Sequence, residues 1–465
     1  MNAASTTISS RLAEIAGPSN VVADPAQLGA YEICGKIPGA AARPGSSEEA
    51  TEIVKFAAAE KLAIVPTGAR TKLGMGLPPR QYDLALDMTR LDRVVAYDPG
   101  DLTLSVEPGT PLRRLEGVLA GHRQFLPLDV PFMNRATAGG TIASGVDSPL
   151  RQFYGTARDY VLGMEFVTGD GMAAKSGGRV VKNVAGYDLH KVMIGALGTL
   201  SVITKINFRT FPLPGAMRTF VAGFSSAERA LDLRHRVARS PLRPLTAEIL
   251  SPRAAELLSS AVAAQIEPGP MPPGALSKEQ WAVMASFGGT GKVLERSELE
   301  LRRMAEDAGA AGIIALGDDR VPFAFGRTRE FVPIALESSA AATILKLGVL
   351  PTRMRQVLDA AAKAADAAEL RWAALVRGLG VIYLALLPSE ENQEALGRVV
   401  RAANDILAEC AALGGNAAIP WCPAAWKSLL PVWGLDRGDF EQMRKLKKVF
   451  DPHGILAPGR FAGGI

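Results

Sequence analysis

The sequence predicts an α+β protein of more than one domain, and three observations predict it. At 465 residues the chain exceeds what one hydrophobic core organises. Short apolar strand candidates alternate with amphipathic helical stretches rather than forming one regular βαβ series. The texture also changes along the chain: residues 126–212 are dense in glycine, whereas the segment from Gly215 is rich in alanine and helical in pattern.

Residues 1–35 read as a short helical arm. From Ser46, a possible cap with Glu49 three residues on, Ala50, Ile53, Val54, Ala57 and Ala58 fall on one helical face. LAIVP (62–66) and LALDM (84–88) are strand candidates separated by the loop TGARTKLGMG. VVAY (94–97) and LTLSV (102–106) flank an Asp-Pro-Gly-Asp turn and predict a hairpin. Thr110 and Pro111 suit the start of a helix that Gly121 ends. LGMEFVTGDG (162–171) predicts a strand entering an Asp170-Gly171 turn. After Gly215, helices are expected over 225–239, 293–308, 353–368 and 389–412. Strands are expected at 281–287, 312–316, 374–387 and 417–421, giving a sheet covered by helices, with EPGPMPPGA (267–275) as a loop. A last helix over 440–450 leads into DPHGILAPGRF, which is expected to pack back on the first domain. The expected divisions are thus 1–35, 36–214, 215–411 and 412–465.

Composition excludes several classes. With 48% hydrophobic and 21% charged residues the chain is an ordinary globular one, and its net charge of +5 is scattered, so no nucleic-acid partner is expected. Cys34, Cys410 and Cys422 form no CxxC pair, and the four histidines lack ligand spacing, so no metal or iron–sulfur site is expected within this chain. No apolar stretch reaches 18 residues, and MNAASTTISS lacks a basic-then-apolar pattern; no membrane span and a reducing, cytoplasmic setting are expected.

Glycines in such density weaken a fold unless main chain must approach something closely. Bare amides can hold a phosphate-bearing cofactor, and the loop Thr67, Gly68, Ala69, Arg70, Thr71, Lys72 follows a strand as an anion nest would, with two cations to favour the charge. It contains no histidine for a covalent bond to such a cofactor. ATAGGTIASG (136–145) adds Gly139, Gly140 and Gly145 for close approach and Thr137, Thr141 and Ser144 for hydrogen bonds. Two other strings are set aside. Gly169–Ala174 spells G-x-G-x-x-A without the following helix of a dinucleotide fold, and SFGGTGKV (286–293) has Ser286 and Val293 where a P-loop needs Gly and Ser/Thr. In KNVAGYDLHKVMIGALGTLSVIT (182–204), Asn183, Tyr187, Asp188 and His190 are polar groups that could face a ligand or serve structure.

In order and spacing, PTGARTKLGMG, PLDVP, ATAGGTIASG, YGTARDYVLGMEFVTGDG and GALGTLSVIT resemble the PCMH-type FAD-binding domain of the vanillyl-alcohol oxidase fold. With KNVAGYDLHKVMIGALGTL, ALGGNAAI, PVWG and FDPHGILAPGRF, the chain is most similar to the accessory FAD-binding E subunit of bacterial glycolate oxidase. The resemblance implies two α/β subdomains plus an α+β cap domain, and non-covalent FAD held by the residues named above with Pro127, Leu128, Asp129, Gly198, Val202, Ile203 and Arg460. Arg70 departs from it, being bulky where the family has glycine. LGGNAAIPW departs too, having no histidine where hydroxy-acid enzymes of the wider group carry a metal motif. The implied activity is oxidation of glycolate or a similar 2-hydroxy acid by hydride transfer to flavin, in a complex with a D-type flavoprotein and an F-type iron–sulfur subunit. A self-sufficient FAD oxidase or dehydrogenase, and a scaffold subunit that has lost FAD, are the alternatives. Residue type makes Tyr187 or His190 candidates for the proton and Arg353 or Arg329 for the carboxylate.

Overall fold

The computed structural model describes residues 3–180, 186–260, 280–316, 326–435 and 438–465. EPGPMPPGA and Asn183 lie outside them. The first domain stacks two small sheets. One runs Val21–Val22, Ala40–Ala42, Leu84–Asp87, Ile64–Thr67, with its last two neighbouring pairs parallel. The segment expected as an arm therefore supplies an edge strand, Val21 pairing with Ala42, after the helix Ala3–Ala16. Helix Ser47–Glu60 covers this sheet with Ala50, Ile53, Val54 and Ala57, its start capped by the Ser46 side chain. Behind it lies a five-stranded antiparallel sheet ordered Val94–Asp98, Thr103–Val106, Val202–Arg209, Val161–Val167, Ala173–Gly177. Both expected hairpins are present in it. The helix after Thr110 spans Leu112–Ala120, and Pro111, not Thr110, occupies its cap; the Thr110 hydroxyl is spent on the Glu107 carbonyl.

The second domain is one eight-stranded antiparallel sheet: Gly312–Leu316, Ala216–Phe224, Trp281–Gly289, Thr246–Leu250, Arg371–Arg377, Val381–Leu387, Thr343–Gly348, Asn416–Trp421. The single run expected at 374–387 is a hairpin, because Gly378-Leu379-Gly380 reverses the chain and Gly380 takes φ 91°. Four long helices, Ala227–Arg239, Gly291–Asp307, Met354–Ala367 and Gln393–Ala412, bury one face. The other face is not bare: two short helices, Pro252–Ser259 and Phe331–Ser338, share it with Met75, Phe132 and Leu197 of the first domain. That shared face is the seam between the domains. Among the described residues no helix is long and apolar enough to cross a membrane.

The chain then returns. Helix Phe440–Phe450 and the segment after it dock on the first domain, where the Ile64 N–H donates to Ile455 O (2.8 Å) and the Ala457 N–H to Ile64 O (2.7 Å), closing the open edge of the first sheet. Asp451, fully buried, accepts from the N–H groups of Ile455 (3.1 Å) and Leu456 (2.8 Å) and pairs with Lys447 at 2.6 Å. Lys447 also donates to Thr199 O and Leu456 O at 2.7 Å each. Removing one partner of such a buried pair strands the other charge. Asp451→Ala is expected to cost about 3–5 kcal/mol by urea denaturation; a loss under about 1 kcal/mol would mean that the pair does not anchor the return.

Candidate functional site

The strand Ile64–Thr67 ends at a loop whose main chain carries the site. The amides of Gly68 to Lys72 donate to no backbone carbonyl among the described residues. The loop's later carbonyls, in contrast, are fully engaged. Buried Lys427 donates to Gly74 O and, at 2.5 Å, to Gly76 O; buried Arg460 donates to Leu73 O (2.8 Å) and Met75 O (2.5 Å). Burial pushes Arg460 down to about 10, so it stays charged at neutral pH. The loop faces a cleft of about 70 Å³ lined by Thr67 to Leu73, Thr137, Gly140, Ser144 and Arg460. A narrower one of about 50 Å³ runs on past Gly140, Gly198 and Ile203.

Three tests of fit to a dinucleotide come from the cleft itself. Buried polar atoms around it lack partners: Thr67 Oγ1, and Nε and Nη1 of Arg460. A side chain on Gly68 would collide with the Thr137 hydroxyl. Lys72, buried and within 3.3 Å only of the Thr71 hydroxyl, is pushed down to about 8 by burial, with Glu330 opposing the shift. An anion in the cleft would satisfy these groups together. Arg70 does not obstruct it. Its φ of 61° supplies the left-handed turn a glycine would give, and its guanidinium turns away to Asp87 (3.0 Å) over the Tyr31 ring (4.7 Å). Asp87 also accepts from the Tyr31 hydroxyl (2.7 Å) and the Thr89 hydroxyl (2.6 Å).

Gly139 lines the narrower cleft beside Gly140, where a Cβ would stand 2.5 Å from that of Pro108. Other expected ligands fall elsewhere. Gly145, φ 59°, lies against Gly195. The first amides of helix Ala138–Ser144 are already bonded, Ala138 to Thr110 O (2.9 Å) and Gly139 to Pro108 O (2.7 Å), so its N-terminus is not a free anion site. Val202 points into the hydrophobic core beside Ile53 and Leu86. The Pro127 carbonyl accepts from Tyr160 at 3.4 Å, while Leu128 and Asp129 line a different, apolar cavity.

The proposed proton and carboxylate groups are not brought to the cleft. Tyr187 is 89% exposed. His190 is buried, bonded to the Ser176 hydroxyl at 3.1 Å and to the main chain of Val161, and burial pushes it below its ordinary value. It is a satisfied structural histidine. Arg353 is exposed and bonded to Gln356 (3.0 Å). Arg329, half-buried at the seam, is committed to Asp129 at 2.7 Å, with Glu330 at 3.4 Å. Glu330 in turn accepts from the N–H groups of Phe132 (2.8 Å) and Met133 (3.1 Å), clamping the second domain to the loop after Asp129.

The seam also holds a group the sequence reading did not single out. Arg377, at the end of its strand, has its guanidinium 5.3 Å from the Tyr383 ring centroid, 3.4 Å from Glu248 and 3.7 Å from Asp147. Its Nε and Nη1, with Glu248 Oε1 and Asp147 Oδ2, are buried without hydrogen bonds. Burial raises the Glu248 carboxyl above the usual range. The lone arginine in the apolar run ALVRGLG was the available signal. Among the described residues no three His, Cys, Asp or Glu side chains are gathered as a metal would need.

A strand-anchored anion loop facing a cap sheet across a charged seam defines a two-domain nucleotide-cofactor protein. Comparison with known proteins makes this specific. Residues 38–177 match the family "FAD binding domain", and residues 213–418 and 434–461 match "FAD linked oxidases, C-terminal domain". The chain belongs to the FAD-linked oxidase family, with FAD as its cofactor, and is an FAD-dependent oxidoreductase. It is 25% identical over 429 residues to glycolate oxidase subunit GlcD of Bacillus subtilis, covering 91% of this chain and 89% of that protein. Against glycolate oxidase subunit GlcE of Escherichia coli identity is 38% over 200 residues, 43% of this chain and 55% of that one. Against D-lactate dehydrogenase of Archaeoglobus fulgidus it is 32% over 215 residues, 46% and 48% of the two chains, so the latter two matches span about half of each relative. The solved structure of p-cresol methylhydroxylase with substrate bound shares the fold at a TM-score of 0.77, 18% identity and coverage of 99% and 97%.

Arg460→Met removes donors from two buried carbonyls, each costing about 1–3 kcal/mol when left unsatisfied. The variant is expected to purify with little bound flavin, read as loss of the visible flavin absorbance per protein. Full retention of flavin would show that Arg460 does not shape the loop.

Proposed function

We propose that this chain is the FAD-binding subunit of an enzyme complex that oxidises glycolate or a similar 2-hydroxy acid. Names of the matched relatives support the substrate class, being glycolate oxidase subunits and dehydrogenases of D-lactate and D-2-hydroxyglutarate. The observation that carries the reading is Arg377: a buried guanidinium with two bare N–H groups, at the seam between the domains. A carboxylate entering the seam would give this guanidinium a close hydrogen bond that Glu248 and Asp147, at 3.4 Å and 3.7 Å, do not.

In this reading the main-chain amides of Gly68 to Lys72, with Lys72, Thr67 and Arg460, hold the pyrophosphate of FAD. Gly140, Gly198 and Ile203 line the way onward. The chemistry supplied by bound FAD is acceptance of a hydride from the carbon bearing the hydroxyl. Arg377 replaces Arg353 and Arg329 as the carboxylate anchor, and the Tyr383 ring steadies its plane. Glu248, its acidity weakened by burial, replaces Tyr187 and His190 as the group that takes the hydroxyl proton. D-type flavoprotein and F-type iron–sulfur partners, and a cytoplasmic place peripheral to a membrane through them, belong to the same proposal. Self-sufficient oxidation by this chain is the second reading, favoured by a D-type relative that matches along 91% of it. Adding each 2-hydroxy acid anaerobically to the isolated chain separates the two. Flavin bleaching without partners supports self-sufficiency, and bleaching only with them supports the subunit role.

Two outcomes test the assignments. Arg377→Met is expected to lower kcat/KM for the hydroxy acid by about thirtyfold or more, as loss of a buried charge pair of 2–5 kcal/mol would, with the flavin spectrum unchanged. An unaltered kcat/KM removes Arg377 from the site. Lys72, at about 8 in the cleft, binds the diphosphate best when charged. FAD affinity is therefore full below pH 8 and falls as pH rises through it, reaching about tenfold weaker binding at pH 9 than at pH 7. Lys72→Met should bind more weakly at pH 7 and lose that pH dependence; the same slope in the variant would place the titration elsewhere.

A further inference from the structure

Arg377 is the last residue of its strand, so the turn after it decides where its guanidinium can go. The Gly378 peptide in that turn is held from both sides. Its N–H donates to Ala247 O at 2.9 Å, and Ala247 precedes Glu248, which lies opposite Arg377 in the ladder. Its carbonyl accepts from Arg234, through Nε at 2.9 Å and also through Nη2. A side chain on Gly378 would stand 2.0 Å from Gln152 Oε1, so the turn admits no bulk at this point. Gly380 closes it, donating to Arg377 O at 3.1 Å.

Arg234 belongs to another layer. It comes from helix Ala227–Arg239, whose Ala230, Leu233 and Val237 pack on the face of the sheet away from the seam. Among the described residues it makes no ion pair, and burial alone pushes it below its ordinary value. A half-buried cation without a carboxylate is spent here on one carbonyl, and that carbonyl belongs to the residue after Arg377. The geometry points to Arg234 as a positioning residue. From behind the sheet it fixes the turn that aims Arg377, and so sets the affinity for the substrate carboxylate. This role rests on Arg377 being the carboxylate anchor. A carboxylate is held alike before and during hydride transfer, so loosening its anchor weakens binding more than it slows the chemical step.

The test follows anaerobic flavin reduction by glycolate and by D-lactate in the full-length, FAD-loaded protein, with the partner subunits added if the isolated chain is not bleached. Arg234→Met is expected to raise the half-saturating acid concentration at least about fivefold while the limiting rate changes less than about twofold. Flavin content stays as in the wild type. Arg234→Lys, which keeps the charge and a donor, is expected to recover most of the loss. In Arg377→Met protein, adding Arg234→Met is expected to change nothing further, because Arg234 acts only through that guanidinium. Arg234→Gln, shorter and uncharged, serves if the methionine variant does not fold. Unchanged half-saturation in Arg234→Met, a lysine variant no better than the methionine one, or the same added loss with and without Arg377 would each overturn this role and leave Arg377 as the anchor. Arg377→Met behaving as the wild type, or neither acid reducing the flavin, would overturn the underlying substrate reading and this role with it.

Discussion

Two buried cations decide what the cofactor loop can do. A tight loop has as many carbonyls as amides, and both must be accounted for when buried. Lys427 and Arg460 take the carbonyls of Leu73 to Gly76, which leaves the preceding amides, Gly68 to Lys72, as an array with nothing of its own to bond. Neither cation comes from the first domain's early sequence. Lys427 follows the last strand of the cap sheet and Arg460 lies in the returning tail. The anion site is thus assembled only when chain ends more than 350 residues apart in sequence meet, as the Lys427–Gly74 contact does at a separation of 353. This explains why the tail is locked so firmly, through Asp451 and Lys447, to the sheet that carries the loop.

The seam between the domains follows the same logic at higher electrostatic stakes. Asp129 with Arg329, partly buried, and Asp147 with Arg377 and Glu248, buried, are pairs whose desolvation cost is met only if geometry and hydrogen bonding are complete. Around Asp129 and Arg329 most of the bonding is complete, and the pair with Glu330 reads as a clamp holding the domains in register. Around Arg377 it is not: four polar atoms are bare. A half-satisfied network costs stability, and proteins keep such networks where something else completes them. The contrast separates a structural cluster from a binding one a short way along the same interface.

Much of the first domain was legible because its signals are local. The Asp-Pro-Gly-Asp and Asp-Gly turns, the alternating strands and the glycine run all act through nearby residues. The glycines pointed to the right loop but not always for the right reason. Gly68, Gly139 and Gly145 answer to Thr137, Pro108 and Gly195, contacts that only the tertiary fold creates. Arg70 read as an obstacle because sequence gives a side chain's size without its direction; Asp87 and Tyr31 pull it out of the way. His190 could be read as facing a ligand or serving structure, because its partners, Ser176 and Val161, sit on strands rather than beside it in the chain. Arg377 was visible as a lone charge in an apolar run, yet its carboxylate partners come from positions 147 and 248, and no spacing rule links them.

The segment from Pro127 to Ser144 gives these observations a common frame. Its glycine and threonine side faces the flavin cleft, and its leucine and methionine side faces the apolar cavity, with Asp129 tied to the cap domain through Arg329. A wall of one chain segment keeps a charged, phosphate-binding chamber apart from an apolar one. Each chamber needs its own dielectric: bare amides grip a diphosphate best out of water's competition, and an apolar ligand gains only where carbons line its path.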